Sequence, residues 1–245
     1  MMYSLIIPAW NEADFLPVTL ASINAAMQQL EAQSAHRGEL IVVDNNSTDA
    51  TATIAADLGA KVVFEELNQI ARARNRGARE ASGDALIFLD ADSQCTAKLL
   101  NHVLDLLEAG DTVGGGSIIE PDKPIAGTAM RALKLWNQLA IKGKLAAGCF
   151  VYCRTDAFED VGGFNVRVYA GEEIYLSRAL KKWGRRHSKQ FHIAVLSPVI
   201  TSVRKLEWYT PAQILRQALV VLIPGAVYSK RFCKTWYDSG SRDKQ

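Results

Sequence analysis

Two aspartates two positions apart close the run Ala85-Leu86-Ile87-Phe88-Leu89-Asp90-Ala91-Asp92-Ser93-Gln94. Five apolar residues in a row need burial on both faces, whereas the carboxylates need water, a metal or a phosphate, so this strand should run through a core and open into a site. Hard oxygen donors with open positions suit Mn²⁺ or Mg²⁺, which can bridge such a pair to a diphosphate and neutralise charge on a leaving group. Taken alone, the same pattern also fits a solvated turn, and the reading needs support from other residues.

Four further groups could supply it. Asp44 follows Ile41-Val42-Val43 at another strand tip, where a carboxylate can accept from a base N–H or a ribose hydroxyl. Ser47, Thr48 and Asp49 behind it suit a helix N-cap. In Ala71-Arg72-Ala73-Arg74-Asn75-Arg76-Gly77, Arg72 and Arg76 share a helix face while Arg74 points elsewhere; a guanidinium suits phosphate oxygens, and a solvated face is the plain alternative. Glu172 and Glu173 open an amphipathic helix carrying Ile174, Leu176, Ala179 and Leu180. There they either complement the helix dipole or provide a general base that takes a proton from an attacking hydroxyl. Ser202-Val203-Arg204-Lys205 reads as a surface turn or as a flap over a diphosphate. His36, His102 and His187 lack ligand spacing, and His192 alone could approach a metal from a neighbouring strand.

The elements that must position these groups alternate. Strand patterns at Ser4 to Pro8, Leu40 to Asp44, Lys61 to Phe64 and Ala85 to Asp90 frame helices, the first with Leu16, Leu20, Ile23, Met27 and Leu30 on one face. That rhythm means βαβ units and a mainly parallel sheet, with ligands bound beyond the carboxyl ends of the strands. Past residue 110 the pattern is mixed: a glycine-rich strand Val113 to Ile119, a helix through Leu133 and Trp136, and a strand Ala147 to Cys153. No repeat or linker separates the halves, so the second half completes the same domain.

Composition excludes several classes. At 245 residues, 49% hydrophobic and 22% charged, the chain can bury a large core. A net charge of +2, without basic runs interleaved with aromatics, argues against a nucleic-acid partner. Met1 to Pro8 reads as a first strand and not a leader, which suggests a cytoplasmic protein. Cys95, Cys149, Cys153 and Cys233 form no CxxC pair, and reduced thiols without zinc are expected.

In this order the pieces resemble a family 2 glycosyltransferase of the GT-A fold over nearly all of residues 3 to 205. The carrying segments are Ile7-Pro8-Ala9-Trp10-Asn11-Glu12, Val42 to Asp49, Arg72 to Gly77, Phe88 to Ser93, Val161-Gly162-Gly163-Phe164 and Gly171-Glu172-Glu173-Ile174. The resemblance implies an α/β nucleotide-diphospho-sugar transferase fold: a Rossmann-like, mixed but mainly parallel sheet flanked by helices. It implies a catalytic domain over 1–207, with a nucleotide-binding half to about 95 and an acceptor half from about 96. Donor contacts would come from Pro8, Ala9, Asn11, Glu12, Asp44, Arg72, Asp90, Ala91 and Arg204. Mn²⁺ or Mg²⁺ would sit on Asp90, Asp92 and Gln94, since Asp90 to Gln94 is similar to the dolichyl-phosphate mannose synthases. Family members commonly read Glu-Asp where this chain has Glu172-Glu173. Glu173 is in register as the base, with Glu172 as second choice. The implied reaction is a single displacement with inversion, from a UDP- or GDP-linked sugar to a hydroxyl or phosphate of a sugar, polyprenyl-phosphate or other small acceptor. Two alternatives remain: a sugar-1-phosphate nucleotidylyltransferase, which expects a glycine-rich basic loop in place of Pro8 to Glu12, and a non-catalytic nucleotide-sugar-binding module, which has no use for the glutamate pair.

Residues 208–245 lie outside the resemblance and read as an amphipathic helical extension. The apolar stretch Ala218 to Tyr228 is far shorter than the ~20 residues that span a bilayer. With Trp208, Tyr209, Phe232, Trp236 and Tyr237 nearby and Lys230, Arg231 and Lys234 following, it suits peripheral contact with a membrane. Packing on the catalytic domain or on a twin subunit in a homodimer suits it equally.

Overall fold

Strand β1 (Met2–Ala9) shows how the sheet is built, because its alternate side chains enter two different cores. Tyr3, Leu5, Ile7 and Ala9 join one hydrophobic cluster and Ile6 the other. Strand β4 (Ala85–Leu89) divides likewise, Ala85, Ile87 and Leu89 on one side and Leu86 and Phe88 on the other. A strand with no polar alternation is thus the middle layer of a three-layer sandwich. The computed structural model describes residues 1–208, 213, 225–229 and 231–233.

Between β1 and β4 lie α1 (Leu16–Gln33), β2 (Arg37–Asp44), α2 (Thr51–Asp57), β3 (Lys61–Phe64) and α3 (Ile70–Glu80). After β4 come β5 (Ser93–Gln94), α4 (Ala97–Glu108), β6 (Thr112–Pro121), α5 (Gly127–Gly143), β7 (Phe150–Arg154), α6 (Thr155–Asp160), α7 (Glu172–Arg186), β8 (Gln190–Thr201) and α8 (Arg204–Trp208). The eight strands form one sheet in the order β3-β2-β1-β4-β7-β6-β8-β5. Strands β3, β2, β1 and β4 are mutually parallel, as the βαβ rhythm requires. Strand β7 is antiparallel to both β4 and β6, and β8 runs parallel to β6. The fold is therefore the expected mixed, mainly parallel α/β sheet.

The helices pack as the periodicity predicts. Helix α1 buries Leu16, Leu20, Ile23, Met27 and Leu30, and starts with a proline whose fixed φ suits a first turn. In α4, Thr96 caps the N-terminus by accepting from Leu99 N, and Leu99, Leu100, Val103, Leu104 and Leu107 enter the core. Burying each such side chain contributes about 1.5–3 kcal/mol. On the other face Phe88 stacks edge-on against Phe164, with centroids 4.9 Å apart.

Two departures from the sequence reading have local causes. The expected strand Ala147 to Cys153 begins only at Phe150, because Ala147 makes an isolated bridge back to Phe150 and forms a tight turn instead. Ser47 and Thr48 do not cap α2, whose N-cap is Ala50 without a side-chain bond, whereas Asp49 Oδ1 accepts from Thr51 N, the first N–H of the helix, at 3.0 Å. The segment also stitches the β1–α1 loop: Ser47 Oγ accepts from Asn11 N at 3.0 Å and Asp49 Oδ2 from Ala13 N at 3.2 Å.

Much of the predicted C-terminal extension (Tyr209, Ile214, Leu215, Ala218 to Pro224, Lys230, Lys234, Trp236 and Tyr237) lies outside the described residues. Of the rest, Ala226–Tyr228 forms a 3-10 turn whose Val227 carbonyl accepts from Tyr169 N at 2.7 Å. Ala226 and Cys233 pack there against Ala170. No described helix is long and apolar enough to cross a membrane.

Candidate active site

The carboxyl ends of β1, β2 and β4 place Ala9, Asp44 and Asp90 along one sheet edge, with Ala9 and Asp44 directly opposite in register. Only residues 90–92 separate β4 from β5, yet β5 pairs with β8 at the far end of the strand order. The Asp90-Ala91-Asp92 turn therefore links an interior strand to the last strand of the sheet and is held on every side. Asp90 N donates to Cys149 O, Ser93 N to Asp90 O, Ser202 N to Asp92 O, and Thr19 Oγ1 to Ala91 O. The carboxylates emerge from a turn with little freedom, which is what a preorganised ligand set needs.

The residue at the centre is Arg74, on α3, whose side chain is only 2% exposed. Its Nη1 donates to Glu172 Oε1 at 2.8 Å, and its Nη2 to Asp90 Oδ1 at 2.8 Å and Gly148 O at 2.7 Å. The guanidinium carbon lies 5.2 Å from the centre of the Phe164 ring. Burial opposes its charge, but Asp90, Glu172 and Glu173 outweigh that and raise its pKa further. A charge this deep persists only because two carboxylates and a carbonyl receive it. The next residue, Asn75, donates to Phe164 O and accepts from Phe164 N, fixing the Gly162-Gly163-Phe164 loop on α3.

This arrangement separates the two glutamates at the start of α7. Gly171 precedes them with φ 73°, a left-handed conformation that glycine tolerates at no steric cost and that turns the chain into the helix. Glu172 is 5% exposed and spent on Arg74. Glu173, partly buried, points beside Gly148, where an added Cβ would lie 3.6 Å from its carboxyl carbon. Burial, and then the negative charge of Glu172, push its pKa up to about 8, with Arg74 offsetting part of the rise. A carboxyl with its pKa raised to about 8 beside the aspartate turn's arginine has the properties of a general acid or base.

A second arginine organises the opposite side. Arg204, 7% exposed, grips Glu12 in a fork, Nη1 to Oε2 at 2.6 Å and Nη2 to Oε1 at 2.7 Å, while its Nε lies 2.8 Å from Asp92 Oδ2. Its planar face rests on Phe15 at 4.3 Å and on Trp208 at 5.2 Å. The expected donor residues Glu12 and Arg204 and the expected metal ligand Asp92 are thus brought together, and each aspartate of the turn holds one buried arginine.

At the β1–β2 end, Asp44 is 7% exposed and accepts from Ser47 N at 3.0 Å. Asn11, with φ 52°, accepts from Thr48 N at 2.8 Å. Pro8 and Ala9 line the same strand end. Arg72 is partly exposed, with Nε 3.4 Å from Glu65 Oε1, so this predicted arginine lies at the β3 end and not on Asp90. Arg76 pairs with Glu80 at 3.1 Å on the helix surface.

The donor set suits a hard divalent cation. Asp90, Asp92 and Gln94 offer oxygen only, and the neighbouring Cys149 thiol is kept protonated by burial and by the charges of the two aspartates, so no soft ligand competes. His192 does not join them. It packs edge-on against His102 of α4 at 6.0 Å, eight residues upstream of Ile200, the partner of Gln94, so the possible metal approach from its strand is not realised. Among the described residues, a separate group whose ligand atoms lie within 4.8 Å of one another is His36, Asp105 and Glu108, at the opposite, amino-terminal edge of the sheet. There His36 Nε2 already bonds Asp105 at 3.0 Å and Glu108 accepts from the Met1 ammonium at 3.2 Å. The four cysteines are buried and free.

Three residues were missed from sequence. Arg74 was set aside because it points away from Arg72 and Arg76, although a lone arginine on the apolar face of a helix, among Ala71, Ala73 and Gly77, is itself a signal of a buried charge with partners. Asn45 and Gln69 join the Asp44 loop to the segment after β3: Asn45 Nδ2 donates to Leu67 O, Gln69 N to Asn45 Oδ1, and Gln69 Nε2 to Val168 O. Nothing in local spacing announces these contacts.

Comparisons agree with this geometry. The family model of Glycosyl transferase family 2 matches residues 4–162. The chain is 29% identical over 188 residues to glycosyltransferase AglE of Haloferax volcanii, covering 71% of this chain and 60% of that protein. It is 27% identical over 170 residues to a dolichol-phosphate mannosyltransferase of Pyrococcus furiosus, covering 67% of this chain and 45% of that one. The chain thus spans about half the length of these curated relatives. Among solved structures, mannosyltransferase PcManGT from Pyrobaculum calidifontis, in complex with GDP-Man and Mn²⁺, superimposes with a TM-score of 0.68 at 20% identity, covering 97% of this chain and 64% of that one. With the GT-A architecture, the aspartate turn and the match over more than half its length, the chain belongs to glycosyl transferase family 2.

Proposed function

We propose that this protein transfers a glycosyl group from a UDP- or GDP-linked sugar to a hydroxyl or phosphate of a small acceptor, with inversion at the anomeric carbon. The observation that carries the reading is the single guanidinium of Arg74, which holds Asp90 of the aspartate turn and Glu172 of the acceptor-side helix at 2.8 Å each. Donor chemistry and acceptor chemistry then meet at one fixed point.

Residues to about 95 form the donor side: Pro8, Ala9, Asn11 and Asp44 face the nucleoside, and Arg72 and Arg204 answer the diphosphate charge. Asp90, Asp92 and Gln94 would hold Mn²⁺ or Mg²⁺, which supplies charge neutralisation for the departing diphosphate. From about 96 to 207 lies the acceptor side. With a hydroxyl acceptor, Glu173 takes the O–H proton as the oxygen bonds to the anomeric carbon and the bond to the diphosphate oxygen breaks with its electron pair. Glu172, bonded to Arg74, fixes the start of the helix from which Glu173 reaches Gly148. A polyprenyl phosphate is the acceptor class suggested by the dolichol-phosphate relative. A phosphate oxygen attacks without surrendering a proton, and toward it a protonated Glu173 is the less repulsive neighbour.

Incubation with Mn²⁺ and single UDP- or GDP-sugars, without acceptor, tests the proposal. Slow release of free sugar and nucleoside diphosphate is expected from one donor class. Formation of a nucleoside triphosphate and a sugar 1-phosphate when pyrophosphate is added would point to nucleotidyl transfer, and tight binding without turnover to a binding module.

A further inference from the structure

Among the described residues, helix α5 is the least buried helix of its length, with Ala140 its one buried residue. Its inner face is anchored: Trp136 packs on the core, and Asn137 exchanges two hydrogen bonds with Ile119, donating at 2.9 Å and accepting at 3.0 Å. On its outer face the run Arg131, Leu135, Leu139 and Lys142, at intervals of four, four and three, forms one stripe. Leu135 is 57% exposed and Leu139 53%. Leucine makes up the middle of the stripe and a cation each end. From Gly127 to Lys144 the segment carries Arg131, Lys134, Lys142 and Lys144 and not one acidic residue.

We propose that this face of α5 docks on a lipid surface bearing anionic headgroups. Three observations select that occupant. Exposed leucines flanked by long cationic side chains are what an interfacial helix needs, since the stems lie along the acyl boundary while the charges reach the headgroups. Protein interfaces, by contrast, are depleted in lysine, and three of the segment's four cations, Lys134, Lys142 and Lys144, are lysines. The absence of acidic side chains leaves the segment's charge uncompensated along its length. The docking also has a direction, because α5 ends a few residues before Gly148, whose carbonyl receives Arg74. A bilayer under α5 therefore lies beside the acceptor half of the site. The proposal rests on the reading of a polyprenyl-phosphate acceptor and deepens it: the lipid's phosphate would be presented where its chain stays in the membrane.

The test uses the full chain and vesicles of phosphatidylcholine alone or mixed with phosphatidylglycerol. An environment-sensitive fluorophore on Leu139→Cys should shift to the blue with mixed vesicles, revert at high salt, and stay unchanged with phosphatidylcholine. The same label on Val18→Cys, exposed on α1, should not respond. Lys134→Gln and Lys142→Gln should each lower the partition coefficient about fivefold, and Leu135→Gln with Leu139→Gln about tenfold, with circular dichroism and melting unchanged. A silent label at 139, with or without vesicle binding, overturns the proposal. So does a blue-shifted label before vesicles are added, which would mean that protein covers the face. Calorimetric titration of Mn²⁺ and a nucleoside diphosphate on the same samples separates this outcome from failure of the functional reading: intact nucleotide binding with no docking refutes α5 alone.

Discussion

Arg74 and Glu172 lie 98 residues apart in sequence and 2.8 Å apart in space, both buried, and their pairing leaves Glu173 as the carboxyl with no arginine bonded to it among the described residues. That relationship makes two adjacent glutamates chemically different. One is a structural counter-ion; the other is held at a pKa of about 8 by burial and by its neighbour's charge.

Removing Arg74 should be costly. Arg74→Met leaves Asp90 and Glu172 without their shared cation, and breaking a buried pair in this way costs about 3–5 kcal/mol. Urea unfolding should show that loss, with Arg74→Lys intermediate because an ammonium cannot reach both carboxylates with a planar fork. A variant as stable as the parent would mean that the guanidinium is not the hub described.

The glutamates should respond differently to amide substitution. Glu173→Gln should lower kcat about 10²-fold or more toward a hydroxyl acceptor while donor affinity and melting temperature hold. Glu172→Gln should lower stability first, since it weakens the bond to Arg74. The reverse pattern, with Glu172→Gln inactive yet stable and Glu173→Gln active, would exchange their roles.

The raised pKa of Glu173 sets the sign of two pH dependences. Its proton is held more tightly folded than unfolded, so its contribution to stability is fully present below the ordinary carboxyl range and is lost as pH rises through about 8. Toward a hydroxyl acceptor, kcat/KM should rise over the same interval as the base ionises, and Glu173→Gln should erase that limb. Toward a phosphate acceptor the rate should be flat or fall as the carboxylate forms. The groups that set the limb are Glu172, Arg74 and Asp90.

Much of this was legible in the sequence, because the informative signals were local. The apolar runs ending in Asp44 and Asp90 gave the strand tips, and the leucine spacing of α1 gave its buried face, since both depend on period and burial alone. What stayed hidden depends on distant partners. Arg74 finds Glu172 only once α7 is laid against α3, and Arg204 finds Glu12 across 192 residues of chain. Ser47 looked like a cap, yet the loop after β1 passes close enough for Asn11 N to take its oxygen, and tertiary packing overrode the local preference.

Arg204 should matter to diphosphate binding and to order at the site's rim. Arg204→Met frees Glu12 and removes a cation from beside Asp92, so affinity for a nucleoside diphosphate with Mn²⁺ should fall about tenfold or more, the scale of one charge-assisted contact. Calorimetry provides the check; an unchanged dissociation constant would confine Arg204 to a structural role.

The central claim, that the Asp90-Ala91-Asp92 turn is a divalent-metal site serving a nucleoside diphosphate, is tested most directly by titrating Mn²⁺ into Asp92→Asn in the presence of the nucleoside diphosphate. Arg204 keeps its fork on Glu12 when Asp92 loses its charge, so the variant should still unfold cooperatively. It should also lose Mn²⁺-dependent nucleotide binding and donor hydrolysis, because one charged ligand to the leaving-group metal is gone. Binding and hydrolysis at parental levels with saturating Mn²⁺ would contradict the assignment.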